Sequence, residues 1–133
     1  MFLHLDDSMT IEEVQDRFNE CFPYLKIAFY SQPHNKFESS GKEFQYSEKT
    51  RIIDIRKKHN NGVMEIKSWY TTAKVEQELK ELFDVNVQVF RYDMNGNWIQ
   101  STFSDELTLR QQSDIALDAN ASHSIDTMIG QSL

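Results

Sequence analysis

Phe2-Leu3-His4-Leu5 and Val63-Met64-Glu65-Ile66 each set three apolar residues around one polar residue, and both read as short strands. After the first stretch the period lengthens. Ile11, Val14, Phe18, Cys21 and Phe22 recur at helical spacing and predict an amphipathic helix. Thr10-Ile11-Glu12-Glu13 has the form of a capping box at its start, and Pro23 ends it. Val75, Leu79, Leu82 and Phe83 predict a second helix capped by Thr71 or Thr72. Each helix leads into alternation, Leu25, Ile27, Phe29 in one case and Val85, Val87, Val89 in the other, which predicts strands with one apolar face.

These blocks repeat. A shift of 61 lays Phe2 to Leu5 on Val63 to Ile66, Thr10 on Thr71, Val14 on Val75 and Phe18 on Leu79. A shift of 60 lays Leu25, Ile27 and Phe29 on Val85, Val87 and Val89. Each second strand then turns back. Asn95-Gly96 predicts a two-residue turn before Trp98 to Thr102, and a long polar loop from about Ser31 to Gly41 precedes Glu43 to Tyr46. A helix closes each half, at 49–58 with Ser47 as cap and from Asp105 to about Leu117 with Ser104 as cap. The expected fold class is α+β, an internal duplication of a β-α-β-β-α unit sharing one core. Each crossover is expected to be right-handed. Residues 1–117 form the domain, as repeats of about 1–60 and 61–117, and 118–133 form a poorly ordered tail.

Composition narrows the class. The 133 residues include Trp 2, Tyr 5 and Phe 9, enough aromatic bulk for a folded core. No apolar run approaches the length that crosses a bilayer, and the first residues do not read as a signal peptide, so no membrane association is expected. The net charge of -7 disfavours nucleic acid. Cys21 is the single cysteine, which fits a reducing, cytoplasmic location.

The run Val87-Gln88-Val89-Phe90-Arg91, then Asn97 to Thr102, then Leu107-Thr108-Leu109-Arg110-Gln111-Gln112 resembles a family of small uncharacterised bacterial proteins. Phe22-Pro23-Tyr24-Leu25-Lys26-Ile27 looks like its N-terminal half. The resemblance implies one bacterial domain and carries no activity and no functional residues.

Motifs for catalysis or cofactors do not emerge. His4, His34, His59 and His123 have no metal-ligand spacing, so neither a metal site nor a cofactor is expected. Asp6-Asp7, Glu12-Glu13 and Asp105-Glu106 stand before or at helix starts, where the helix dipole favours carboxylates. Cys21 reads as a core thiol, and no glycine pattern cradles a phosphate. Lys49, Arg51, Arg56, Lys57 and Lys58 would crowd one face of the helix at 49–58, so Arg56, Lys57 and Lys58 are candidate anion-binding residues. If the alternating valines and leucines face the helices, Tyr30 and Phe90 face the other way, and Trp98 joins them when Ile99 points inward. That face is either covered by the closing helices or exposed as a contact surface. Tyr30, Phe90 and Trp98 are therefore candidate binding residues. The chain reads as a non-catalytic module that binds a protein partner or a second copy of itself. Nucleic-acid or polyanion binding through 49–58, and an unrecognised small enzyme, are the alternatives.

Overall fold

Two threonines set the helix starts. Thr10 and Thr71 are extended, and their side chains accept hydrogen bonds from the amides of Glu13 and Lys74. Each bond satisfies an amide that the first helical turn leaves without a partner. The computed structural model describes residues 1–33, 41–93, 95–101 and 106–119. Strand β1 (Phe2–Leu5) leads to helix α1 (Ile11–Cys21) and strand β2 (Leu25–Tyr30). Strand β3 (Gly62–Glu65) leads to helix α2 (Thr72–Phe83), then β4 (Asn86–Tyr92) and β5 (Trp98–Gln100). A third helix, α3, covers residues 109–119.

The chain is α+β with antiparallel sheets. β1 pairs with β3 in a two-stranded ribbon, and β2, β4 and β5 form a three-stranded sheet in the order β2-β4-β5. β1 and β2 therefore sit in different sheets, as do β3 and β4, and the right-handed crossover expected within one sheet is not formed. Each strand finds its ladder partner across the chain instead. Leu3 stands opposite Met64, and Ala28 stands opposite Gln88.

One apolar cluster binds the layers. Leu3 and Leu5 of β1 meet Met64 of β3, and Ile11, Val14 and Phe18 of α1 join Val75, Leu79 and Phe83 of α2. Leu25, Ile27, Phe29, Val85, Val87 and Val89 supply the sheet side, and Ile52, Ile66 and Leu109 complete it. Burying each such side chain contributes roughly 1.5–3 kcal/mol, so the two halves depend on one interior.

Equivalent backbone bonds recur in both halves. Ile52 donates to Met9 O at 2.9 Å, and Leu109 donates to Tyr70 O at 2.9 Å. Ile11 donates to Thr50 O, as Thr72 does to Leu107 O. Tyr46 donates to Phe29 O, as Ser101 does to Val89 O.

Several expectations change. The helix at 49–58 is replaced by a single 3-10 turn at Ile52–Asp54. The bonds of Thr50 and Ile52 to the chain at 9–11 hold Arg51 extended (φ -80°, ψ 147°), which no helix allows. Glu43 to Tyr46 is a 3-10 turn (Lys42–Phe44) followed by one bridge from Gln45 to Tyr30, rather than a strand. Cys21 and Leu82, 61 residues apart, are both exposed: the buried stripes run Val14, Phe18, Phe22 and Val75, Leu79, Phe83 and leave these two to one side. α3 is capped by Thr108, whose hydroxyl accepts from Gln111 N while the Gln111 side chain accepts from Thr108 N. It is helical through residue 119, past the boundary expected at 117. Ser104, Asp105, the end of the last expected strand at Thr102, most of the Ser31 to Gly41 loop, and the tail from 120 lie outside the described residues.

Candidate functional site

Alternation along β2, β4 and β5 sends Leu25, Ile27, Phe29, Val87 and Val89 into the core, so Lys26, Phe90, Tyr92 and Trp98 project from the opposite face. Register brings them together. Lys26 stands opposite Phe90, and Tyr92 stands opposite Trp98. The Tyr92 and Trp98 rings meet edge to face at 5.1 Å. Lys26 Nζ lies 5.6 Å from the Phe90 ring centre and 5.2 Å from that of Trp98, within cation-π range of both. All four side chains are partly exposed.

Of the expected binding residues, Phe90 and Trp98 thus share one patch. Tyr30 does not. It stands opposite Asn86, four residues along β2 from Lys26, and is 3% exposed. Burial and the Glu76 carboxylate push its phenol up to about 12. Ala28 and Gln88, between the two ends, are also buried. At the other end of the face only Asn86, opposite Tyr30, is partly exposed, so the accessible aromatic rings gather at the Lys26 end.

The turn beside it is built for a sharp reversal. Gly96 donates to Asp93 O, Asp93 donates to Asn97 O, and Gly96 is left-handed at φ 82°. The reversal closes between Asp93 and Asn97, wider than the expected two-residue Asn95-Gly96 turn, with glycine where positive φ is needed. The Asp93 carboxylate accepts from Asn95 N and Asn97 N, fixing the register that places Trp98 over Tyr92.

Arg56 does not share an exposed basic face with Lys57 and Lys58. The Arg56 side chain is fully buried. Its guanidinium donates to Asp7 Oδ1 at 2.9 Å, Asn61 Oδ1 at 2.6 Å, Asn60 O at 2.7 Å and Phe83 O at 3.3 Å. Lys57 and Lys58 are exposed, and their backbone amides donate to Asp84 Oδ2 at 2.9 and 3.0 Å. The basic run is a junction tying β1 to the end of α2.

Carboxylates and histidines also gather at the first turn. His4 bonds Asp6 at 2.7 Å, and His59 bonds Asp7 at 2.8 Å. Hydrogen bonds from Ser8 and His4 hold the Asp6 carboxyl down at about 2, against an opposing desolvation. Desolvation alone would raise Asp7, but the bonds from His59 and Arg56 outweigh it and lower its pKa. The Ser8 hydroxyl donates to Asp6, so the carboxylate sits between serine and histidine. A nucleophilic triad needs the histidine in that middle place. No group of three or more His, Cys, Asp or Glu side chains could hold a metal ion among the described residues.

Tyr92 was within reach of the sequence, since it lies two residues beyond Phe90 on the same strand face. Lys26 was not, because its place depends on the β2-β4 register. No protein-family model matches this chain, and no curated protein or solved structure matches it. No helix among the described residues is long and apolar enough to cross a membrane.

Proposed function

We propose that the chain is a non-catalytic protein-interaction module whose contact surface is the Lys26, Phe90, Tyr92 and Trp98 patch. The observation that carries this is the gathering of three aromatic rings and a cation, all partly exposed, at one end of the sheet face turned from the core. Aromatic residues at partly exposed positions are the usual anchors of protein contacts. Under the same reading the module works in a reducing cytoplasm, which the single cysteine, Cys21, favours.

The halves are, in this proposal, duplicated copies of one unit. The recurring bonds at Ile52 and Leu109, at Ile11 and Thr72, and at Tyr46 and Ser101 support it. So do the opposed positions Leu3-Met64 and Ala28-Gln88, which one two-fold axis would relate. Duplication also sharpens the site. The counterparts of Phe90 and Lys26 across the axis are Tyr30 and Asn86, and there the tyrosine is buried and the cation missing. The patch is where the two copies have diverged.

Trp98→Ala tests the reading. The expected variant stays folded, losing less than about 1.5 kcal/mol in urea denaturation, because the indole is partly exposed. Self-association by sedimentation, or partner binding, weakens by more than about 1 kcal/mol. A loss of about 3–5 kcal/mol in stability with unchanged association would place Trp98 in the interior and overturn the proposal.

A further inference from the structure

We infer that this patch takes an acidic peptide segment, with a partner carboxylate on Lys26 and a neighbouring apolar or aromatic side chain on Trp98 and Tyr92. The inference rests on the reading of the patch as a contact surface and adds what it binds. The chain has 21 acidic and 14 basic residues. Yet none of the side chains that β2, β4 and β5 turn away from the core is acidic, and Lys26 is the one cation among them.

The Lys26 ammonium is held on two rings, and no carboxylate among the described residues lies within ion-pair distance of it. Lys74 shows the contrast: it stacks on Tyr70 at 4.3 Å and also pairs with Glu78 at 3.8 Å. An ammonium carries three N–H donors, and ring contacts leave them directed at whatever approaches from outside. A carboxylate arriving there gains a charge-assisted hydrogen bond, and apolar atoms beside it gain the exposed ring surface.

Single-stranded nucleic acid also combines anions with stackable rings. It is the weaker fit. One lysine neutralises one phosphate, and every further phosphate meets the field of a chain with net charge -7. A peptide needs only the one carboxylate.

The test selects binders to the full chain from a phage-displayed library of random dodecapeptides. The enriched peptides, fluorescently labelled, and a labelled oligothymidine are then titrated against wild type, Lys26→Gln, Lys26→Glu and Trp98→Ala. Denaturation midpoints establish that each variant is folded. The expected peptides carry Asp or Glu beside Trp, Tyr, Phe or Leu. Lys26→Gln should weaken them several-fold and Lys26→Glu about tenfold or more, with affinity falling as salt rises. Trp98→Ala should weaken them about fivefold or more. Enrichment of neutral or basic peptides, no enrichment, or binding of oligothymidine but not of peptides would overturn the inference. Peptides weakened by Trp98→Ala but not by either Lys26 variant would refute the acidic preference and leave the contact surface standing. Peptides weakened by none of the three variants would refute both.

Discussion

Arg56 shows how a cation in a basic run becomes part of the interior. Its neighbours Lys57 and Lys58 end in flexible ammonium groups that remain in water. The guanidinium instead offers five donors in a fixed plane, and four acceptors from three separate segments converge on it. Sequence proximity put all three in one patch, and only the positions of Asp7 and Phe83, remote in the chain, separate them. Arg56→Met keeps the aliphatic bulk and removes the donors, leaving the buried Phe83 carbonyl without this partner. The expected cost is about 2–3 kcal/mol in urea denaturation. Lys58→Gln should stay within about 0.5 kcal/mol of wild type, because its exposed side chain is not part of the junction. Equal effects from the two changes would contradict the assignment.

At the scale of elements, Asp84 closes α2 in a conformation that non-glycine residues adopt seldom. It is left-handed at φ 57° and ψ 42°, with its amide on Lys80 O. Its carboxylate recovers the cost through bonds from the amides of Lys58 and Lys57 and from Lys80 Nζ at 3.2 Å. The Lys58 amide lowers its pKa most, desolvation opposes, and the Lys57 and Lys80 contacts bring it to about 2. A carboxyl whose folded pKa lies below its unfolded value of 3.8 stabilises the fold above that unfolded value, and the contribution is lost as pH falls toward 2. Asp84→Asn tolerates the same backbone and cannot titrate. Its melting temperature should therefore fall less steeply than wild type between pH 4 and pH 2, a slope to which Asp6 also contributes in both proteins. Identical slopes would show that the Asp84 contacts are not maintained in solution. Element by element, the sequence was most legible where the signal is local. The Thr10 cap, the alternation of β2 and β4 and the buried stripes of α1 and α2, Cys21 and Leu82 apart, follow from period and capping, and of the two threonines offered at the start of α2 it is Thr71 that caps. The segment at 49–58 misled because its isoleucine spacing suits a helix, while its backbone bonds go to residues some forty positions earlier. The start of α3 was legible too, in the capping box Thr108-Leu109-Arg110-Gln111, but Ser104 offered a nearer hydroxyl to the acidic pair at 105–106.

At the scale of the molecule, strand partners decide the architecture, and periodicity does not reveal partners. The same alternation serves a β-α-β crossover in one sheet or strands shared between two sheets. Here β1 turns to β3 and β2 to β4, so among the described strands two of the three pairings join the first half of the chain to the second. The patch inherits this arrangement, since Lys26 comes from one half and Phe90, Tyr92 and Trp98 from the other. It also makes folding a joint event. Phe18 and Leu79 occupy equivalent places in α1 and α2 and are both fully buried in the single apolar cluster. Phe18→Ala should cost about 3–5 kcal/mol and Leu79→Ala about 2–5 kcal/mol, by loss of buried surface and the cavity left behind. Neither half can keep its sheet when the other opens, so each variant should unfold in one transition, seen at the same midpoint by tryptophan fluorescence and far-ultraviolet circular dichroism. Trp69 and Trp98 both lie in the second half, whereas α1 and α2 divide the helical signal between the halves. A first-half variant that lost helical signal at lower denaturant than it lost fluorescence would show that the halves are separable, and the shared patch would then need a different explanation.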